Sequence, residues 1–310
     1  MRFSLALGLG LSWLLLQQTA AAPPVRISIE ARAQQPGELI LVTVETEQPS
    51  SVTGTVFNTE VRFFPTREPT VWQALLGLDV DLQPGEYRLD LKIVTDSGVE
   101  SSETRMLQVA PRAFATRYLT LPKKYVNPPA DVQERIRREA EEVRRIFSVA
   151  SPEPVWEGQF RRPLGGKVIS SFGKRSVLNG QPRNVHAGVD LRAPQGTVLR
   201  APAGGRVVLA KELYFAGNSI ILDHGLGLFS QFAHLSTFKV KEGQLVQPGE
   251  TIGLTGRSGR VEGPHLHWSM RLGNGRIDPM SVLWLLSDGN RARPRSKAIS
   301  EFSNRDPFVR

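Results

Sequence analysis

The stretch GPHLHWSMRL, residues 263–272, sets two histidines two positions apart behind a Gly-Pro pair, in a chain of 310 residues that holds five histidines and no cysteine. Read as a strand, it sends successive side chains to opposite faces, so His265 and His267 project to one side and Leu266 to the other. Trp268, beside a buried strand, reads more readily as packing than as the lining of a groove. Strand-like runs surround this one: GRVVLAK (205–211), NSIILDHG (218–225), LFSQFAHL (228–235) and TIGLTG (251–256). Turn pairs at Pro248-Gly249 and Asn274-Gly275 punctuate them. Residues 162–287 are therefore expected to form an all-β domain of antiparallel strands.

The chain is mainly β outside this domain as well. VRISIEAR (25–32), LILVTVET (39–46), SVTGTVFN (51–58), YRLDLKIV (87–94) and RMLQV (105–109) are β-rich runs separated by turn residues, so residues 23–110 read as an immunoglobulin-like sandwich without that fold's disulfide and tryptophan pattern. Residues 111–161 form a connector. Its middle, DVQERIRREAEEVRRIFS (131–148), repeats Val132, Ile136, Ala140, Val143 and Phe147 at helical spacing opposite charges placed for ion pairs. Glutamates interrupt its basic face, which argues against a membrane-surface helix.

The two ends read differently. MRFSLALGLGLSWLLLQQTAAAPP begins with Arg2, continues as an apolar run and ends in small residues, the pattern of a signal peptide over residues 1–22 with a Thr19-x-Ala21 cleavage signal. An exported protein is expected, in the periplasm or cell envelope or outside the cell, with no transmembrane segment left after cleavage. Residues 288–310 are basic and poor in apolar side chains, so disorder is expected there.

Charge divides the chain. The net formal charge is +9, yet residues 26–110 carry 7 basic and 13 acidic side chains, against 31 basic and 17 acidic from residue 111 onward. A basic exported domain suits an anionic surface such as cell-wall polymer, whereas arginines without interleaved aromatics argue against nucleic acid. The opposite charge of the first domain suggests that it occludes, targets or spaces the second. The absence of cysteine excludes disulfides and thiolate zinc sites.

Four of the five histidines lie in three short motifs. NVHAGVDL (184–191) holds His186 and Asp190, FAHLS (232–236) holds His234, and His265 and His267 complete the set. Imidazole and carboxylate donors without thiolate suit a catalytic zinc, which commonly keeps three protein ligands and a water. Two neutral imidazoles and one carboxylate leave such a site at net +1, a charge that favours ionisation of the water. No helical H-E-x-x-H exists. His224, between a strand run and a glycine, reads as a structural turn residue, and Asn218 either braces the site or occupies a turn.

The order of these motifs resembles the lysostaphin and LytM family of zinc metallopeptidases. The likeness runs from about Arg162 to Leu285 and includes SSFGKR (170–175), APAGGRVV (201–208), GNSIILDHG (217–225) and VKEGQLVQPGETIGLTGRSG (240–259). It implies an antiparallel LytM-like peptidase domain that cleaves peptide bonds of bacterial peptidoglycan, with one Zn2+ per chain. It further implies His186, Asp190 and His267 as metal ligands and His234 and His265 as catalytic histidines. The implied partners are peptidoglycan and other envelope components. The family often has tyrosine where Phe232 stands, which puts substrate contacts there in doubt, and the loop KRSVLNGQPRN (174–184) is long enough to wall a groove. A catalytically silent wall-binding module or activator of another hydrolase is the alternative, although all five site residues are kept. A lipoyl-type carrier is disfavoured because Lys211 is not on a hairpin tip.

Overall fold

The computed structural model describes residues 25–120, 128–149, 151–182 and 185–287. The expected signal peptide and basic tail lie outside them. The described chain is mainly β, with two helices.

Eight strands come first along the described chain: β1 (Arg26–Ala31), β2 (Leu39–Glu45), β3 (Ser50–Val56), β4 (Thr59–Arg62), β5 (Phe64–Pro65), β6 (Val71–Gly77), β7 (Gly85–Thr95) and β8 (Glu100–Val109). They make two antiparallel sheets, ordered β1-β2-β6-β5 and β4-β3-β7-β8. The strict alternation of buried and exposed residues along β3 shows why they pair: each sheet has one apolar face to hide. Ile40, Val42, Val52, Leu76, Leu89, Leu91 and Leu107 fill the space between the sheets.

The second body is a ten-stranded sheet. Its strands are β10 (Val168–Ser170), β13 (Gly188–Arg192), β14 (Val198–Arg200), β15 (Gly205–Leu213), β16 (Gly217–Asp223), β17 (Leu228–Phe238), β18 (Leu245–Val246), β19 (Thr251–Thr255), β20 (His265–Leu272) and β21 (Gly275–Ile277). The main path runs β10-β13-β20-β17-β16-β15-β18, with β14 and β19 closing from β17 and β21 beside β20. β9 (Thr116–Leu119) stands apart with a hairpin of β11 (Arg175–Leu178) and β12 (Gln181–Pro182). That hairpin replaces the loop expected at 174–184. Its cause is Asn179-Gly180, both at positive φ (51° and 78°), the conformation a two-residue turn between twisted strands requires.

Helix α1 (Ala130–Ser148) confirms the helical spacing of the connector but buries only its last turns. Phe147, Val143 and Ile146 pack on Leu209, Ile221 and Phe229, and the guanidinium of Arg271 lies 4.8 Å over the Phe147 ring. Ala140, expected on the apolar stripe, is exposed, because Glu139 and Glu142 reach the sheet there instead. Glu139 accepts from Tyr214 N–H at 2.7 Å, and Glu142 pairs with Lys211 at 2.6 Å, which ties down the lysine that a carrier domain would display. Trp156 and Phe160, assigned to the connector from sequence, belong to the core of the large sheet, in edge-to-face contact with each other.

The sandwich and the large sheet share one apolar core. Leu39, Leu41, Leu75 and Val80 pack in the same cluster as Leu191, Leu266 and Val282. Around that contact, Glu38 and Asp278, both almost fully buried, are held by Arg32 and Arg112 at 2.5–3.1 Å. Asp278 also caps α2 (Pro279–Leu286), accepting from Met280 N–H, with Pro279 at the first helical position. Arg276 joins Asp79 at 2.6 Å and Asp81 at 2.8 Å.

Removing Asp278 costs a helix cap and leaves two arginines sharing one carboxylate. Asp278→Ala is expected to lower stability by about 2–4 kcal/mol, read as a reduced urea midpoint. Burial raises the Asp79 carboxyl, but the Arg276 hydrogen bonds outweigh it and hold the group below its ordinary 3.8. A depressed folded-state pKa stabilises above that value and is lost as pH falls through the folded one. The stability gap between wild type and Asp79→Asn is therefore expected to be full at pH 7 and to close below about pH 4, by denaturation at several pH values.

Candidate metal centre

The centre is built by strand register. β13 and β20 run antiparallel with Asp190 directly opposite His267, so the two side chains rise from the same face of the sheet. His265 lies two residues earlier on β20 and shares that face. Trp268 and Leu266 point the other way into the core, both at 0 % exposure, which settles Trp268 as packing. Gly188 lets the strands approach: a Cβ there would lie 2.5 Å from the Trp268 carbonyl oxygen.

His186 precedes β13 and is placed by backbone. Gly173 N–H donates to its carbonyl at 2.8 Å, and its own N–H donates to Lys174 O at 3.0 Å. Its ring then meets the pair from β13 and β20. His186 Nε2 lies 3.0 Å from Asp190 Oδ1 and 3.1 Å from His267 Nδ1, and His267 Nδ1 lies 2.9 Å from Asp190 Oδ1. These three residues are the cluster of donors able to hold a metal among the described residues. Their side chains are about one-fifth exposed, so the centre opens to solvent.

His234 reaches the same place by a different route. Ala233 pairs with His267, and simple alternation would send His234 to the far face. The β16–β17 ladder slips by one residue here, and His234 takes φ = 64°, a left-handed conformation that a bulge imposes and that re-aims the ring. Its ring centroid lies 5.0 Å from that of His265 and 6.2 Å from that of His267.

Each imidazole outside the His267 pair is oriented by a backbone carbonyl. His186 Nδ1 meets Ser171 O, His234 Nδ1 meets Ser258 O, and His265 Nδ1 meets Gly263 O, all at 2.9 Å. Donation from Nδ1–H leaves Nε2 as the nitrogen that each neutral ring can offer to a metal or a proton. Ser258 does more than accept: its Oγ takes Asn218 N–H at 2.9 Å and donates to Leu235 O at 2.8 Å. Asn218 Nδ2 adds a bond to the same Leu235 carbonyl at 3.2 Å, so it braces the bulge. Nothing in the run TGRSG distinguished Ser258 except its turn glycine.

Charge follows the geometry. Burial raises the Asp190 carboxyl, but hydrogen bonds from His186 and His267 overcome it and leave the group far below the carboxylate range. Burial lowers His186, and its bond to Asp190 reverses that to a net rise. Burial pushes His267 down and His234 down to about 4. His224 is fully buried, bonded to Gly204 O and Ser230 Oγ at 2.7 and 2.8 Å and lowered to about 4 by burial, the structural residue its sequence context suggested. Phe232 is also core, opposite Trp268 across β17 and β20, so a hydroxyl at that position would face the interior.

The structure thus presents a β-sheet domain with a solvent-open His–Asp–His cluster flanked by two further imidazoles. Residues 184–279 match the model of peptidase family M23. It is 38 % identical over 116 residues to the DD-carboxypeptidase/endopeptidase Mpg of Neisseria meningitidis, covering 37 % of this chain and 27 % of that one. Against the peptidoglycan DD-endopeptidase ShyA of Vibrio cholerae it is 41 % identical over 113 residues, 36 % of this chain and 26 % of the other. The chain thus spans about a quarter of the length of these curated relatives. A crystal structure of a protein assigned to peptidase M23 from Pseudomonas aeruginosa superposes with a TM-score of 0.63 at 28 % identity, over 82 % of this chain and 96 % of that one. The likeness therefore extends beyond the M23 region into the other parts of the fold.

Gly188→Ala is expected to push β13 from β20 and to weaken the binding of a divalent metal at this cluster about 10- to 100-fold, measured by competition with a chromophoric chelator. An unchanged affinity would show that the Asp190 to His267 spacing does not depend on this close approach.

Proposed function

We propose that this chain is an exported metalloendopeptidase that hydrolyses a peptide bond in the stem or cross-link of bacterial peptidoglycan, with one zinc ion held by His186, Asp190 and His267. The observation that carries the reading is the convergence of three donor atoms, 2.9–3.1 Å apart, beside two further imidazoles. Four-coordinate zinc with bonds of about 2.0–2.1 Å sets its ligand atoms roughly 3.3 Å apart, so the three need to open by only a few tenths of an ångström. The donor set fits: the depressed Asp190 carboxyl stays ionised, and His186 is held by Ser171 O with Nε2 toward the centre.

Zinc, when bound, supplies a Lewis acid that polarises a carbonyl and makes water acidic near neutral pH. The chain supplies the rest. His234 and His265, each locked through Nδ1, divide two tasks: accepting the proton of the attacking water and donating a hydrogen bond to the oxyanion of the tetrahedral intermediate. The names of the Neisseria and Vibrio relatives support a D,D bond as the one cut. The signal-like first residues support export. The sandwich is read as immunoglobulin-like because its sheets, β1-β2-β6-β5 and β4-β3-β7-β8, follow the ABED and CFG pattern with one strand added beside C. Retention of all five site residues disfavours a silent wall-binding module or activator.

His267→Ala and Asp190→Ala are expected to abolish stoichiometric zinc binding. His234→Ala and His265→Ala should keep one zinc per chain and lose about 100- to 10,000-fold in release of fragments from purified peptidoglycan. Elemental analysis beside the digestion separates the two classes, and zinc loss in the second pair would overturn the division of roles.

A further inference from the structure

The strand β9 comes from the connector, outside the M23 match, yet its first residue, Thr116, pairs with Arg175, next to Lys174, whose carbonyl accepts from His186 N–H. It pairs in parallel with β11, which sets Arg117 beside Ser176, and Arg117 Nε donates to Ser176 Oγ at 3.0 Å. Residues in register share a face of the pair, and their neighbours take the other. Arg175 accordingly points the opposite way, 3.7 Å from Asp81 of the sandwich. Arg117 is thus on the face turned from the sandwich, on a ladder whose β11 follows directly from Gly173 and Lys174, the two residues bonded to the His186 backbone.

Around it other cations are matched: Arg175 faces Asp81, and Arg276 faces Asp79. Arg117 is exposed, and its Nε bonds a neutral hydroxyl; no described carboxylate forms an ion pair with it. A guanidinium offers a planar fork that suits a carboxylate, and this one is anchored by a single nitrogen with the others left to a ligand. Peptidoglycan stems carry free carboxylates close to their scissile bonds, whereas a plain peptide backbone does not.

We propose that Arg117 binds a free carboxylate of the substrate peptide on the His186 side of the centre, which makes the connector strand part of the substrate groove. The identity of the substrate rests on the peptidase reading; the anion site itself rests on the geometry of β9 and β11. It would make the connector a determinant of which peptides are taken, although the family-model match begins only downstream of it.

The test is equilibrium binding of a monomeric stem tetrapeptide, which has no cross-link to cut, to the zinc-loaded full chain. The tetrapeptide is compared with versions in which one carboxylate at a time is converted to the carboxamide. For wild type, one amidated version is expected to bind about tenfold more weakly than the parent. Arg117→Gln should bind parent and that version equally, and Arg117→Lys should keep part of the difference, with zinc content and thermal midpoint unchanged in both. Equal binding of every version by wild type, no measurable binding of the parent, or a preference that survives Arg117→Gln would overturn the proposal. A preference lost in Arg117→Gln together with no digestion of peptidoglycan by wild type would instead remove the peptidase reading and leave the anion site standing.

Discussion

The pairing of Asp190 with His267 across β13 and β20 is the constraint on which the rest of the molecule depends. A slip of one residue would turn Asp190 to the core and bring Leu191 or Val189 to the open face, with the cost of a buried carboxylate added to the loss of the centre. The register is secured from both sides. Trp268, Leu266, Val189 and Leu191 are fully buried on the far face, so sliding either strand would exchange a packed core for polar side chains. Core packing and donor geometry are two faces of the same ladder.

The second constraint is local and works against regularity. His234 gains the centre only because β17 departs from its ladder at a bulge, and a left-handed histidine is tolerated because Ser258 and Asn218 bond the backbone around it. Strain of that kind, about 1–3 kcal/mol, persists only where neighbours over-determine it. The sandwich has a comparable role at longer range. It shares core residues with the large sheet and clamps Asp278 and Arg276, so the region beyond β20 is fixed at both ends. Through β9 it also feeds the connector to the hairpin beside His186.

Much of this was legible in the sequence, for physical reasons. The period of two in HLHW correctly sent both histidines to one face and Trp268 inward, because alternation is a property of any strand. Turn pairs and β-rich runs gave the mainly β character of both bodies, and the helical stripe gave α1. Other features depend on long-range contacts that no local pattern encodes. Ser171, Ser258 and Gly263 orient the imidazoles through main-chain carbonyls, which any residue type can supply. The ion cluster of Arg32, Arg112, Glu38 and Asp278 joins positions more than 160 apart in the chain. Phe232 drew attention through comparison with a family pattern, yet its place in the core follows from the register with Trp268. Asn179-Gly180 was a readable hairpin signal that the length of the surrounding loop obscured.

The central claim is that strand register, with the backbone bonds that place His186, sets His186, Asp190 and His267 apart among five clustered donors as the proposed zinc ligands. X-ray absorption at the zinc edge, on the full chain loaded with one equivalent of zinc, tests it most directly. The account predicts a four-coordinate shell of two imidazole nitrogens and light oxygen donors at about 2.0–2.1 Å. A shell with three or more imidazoles, or with none, would contradict it.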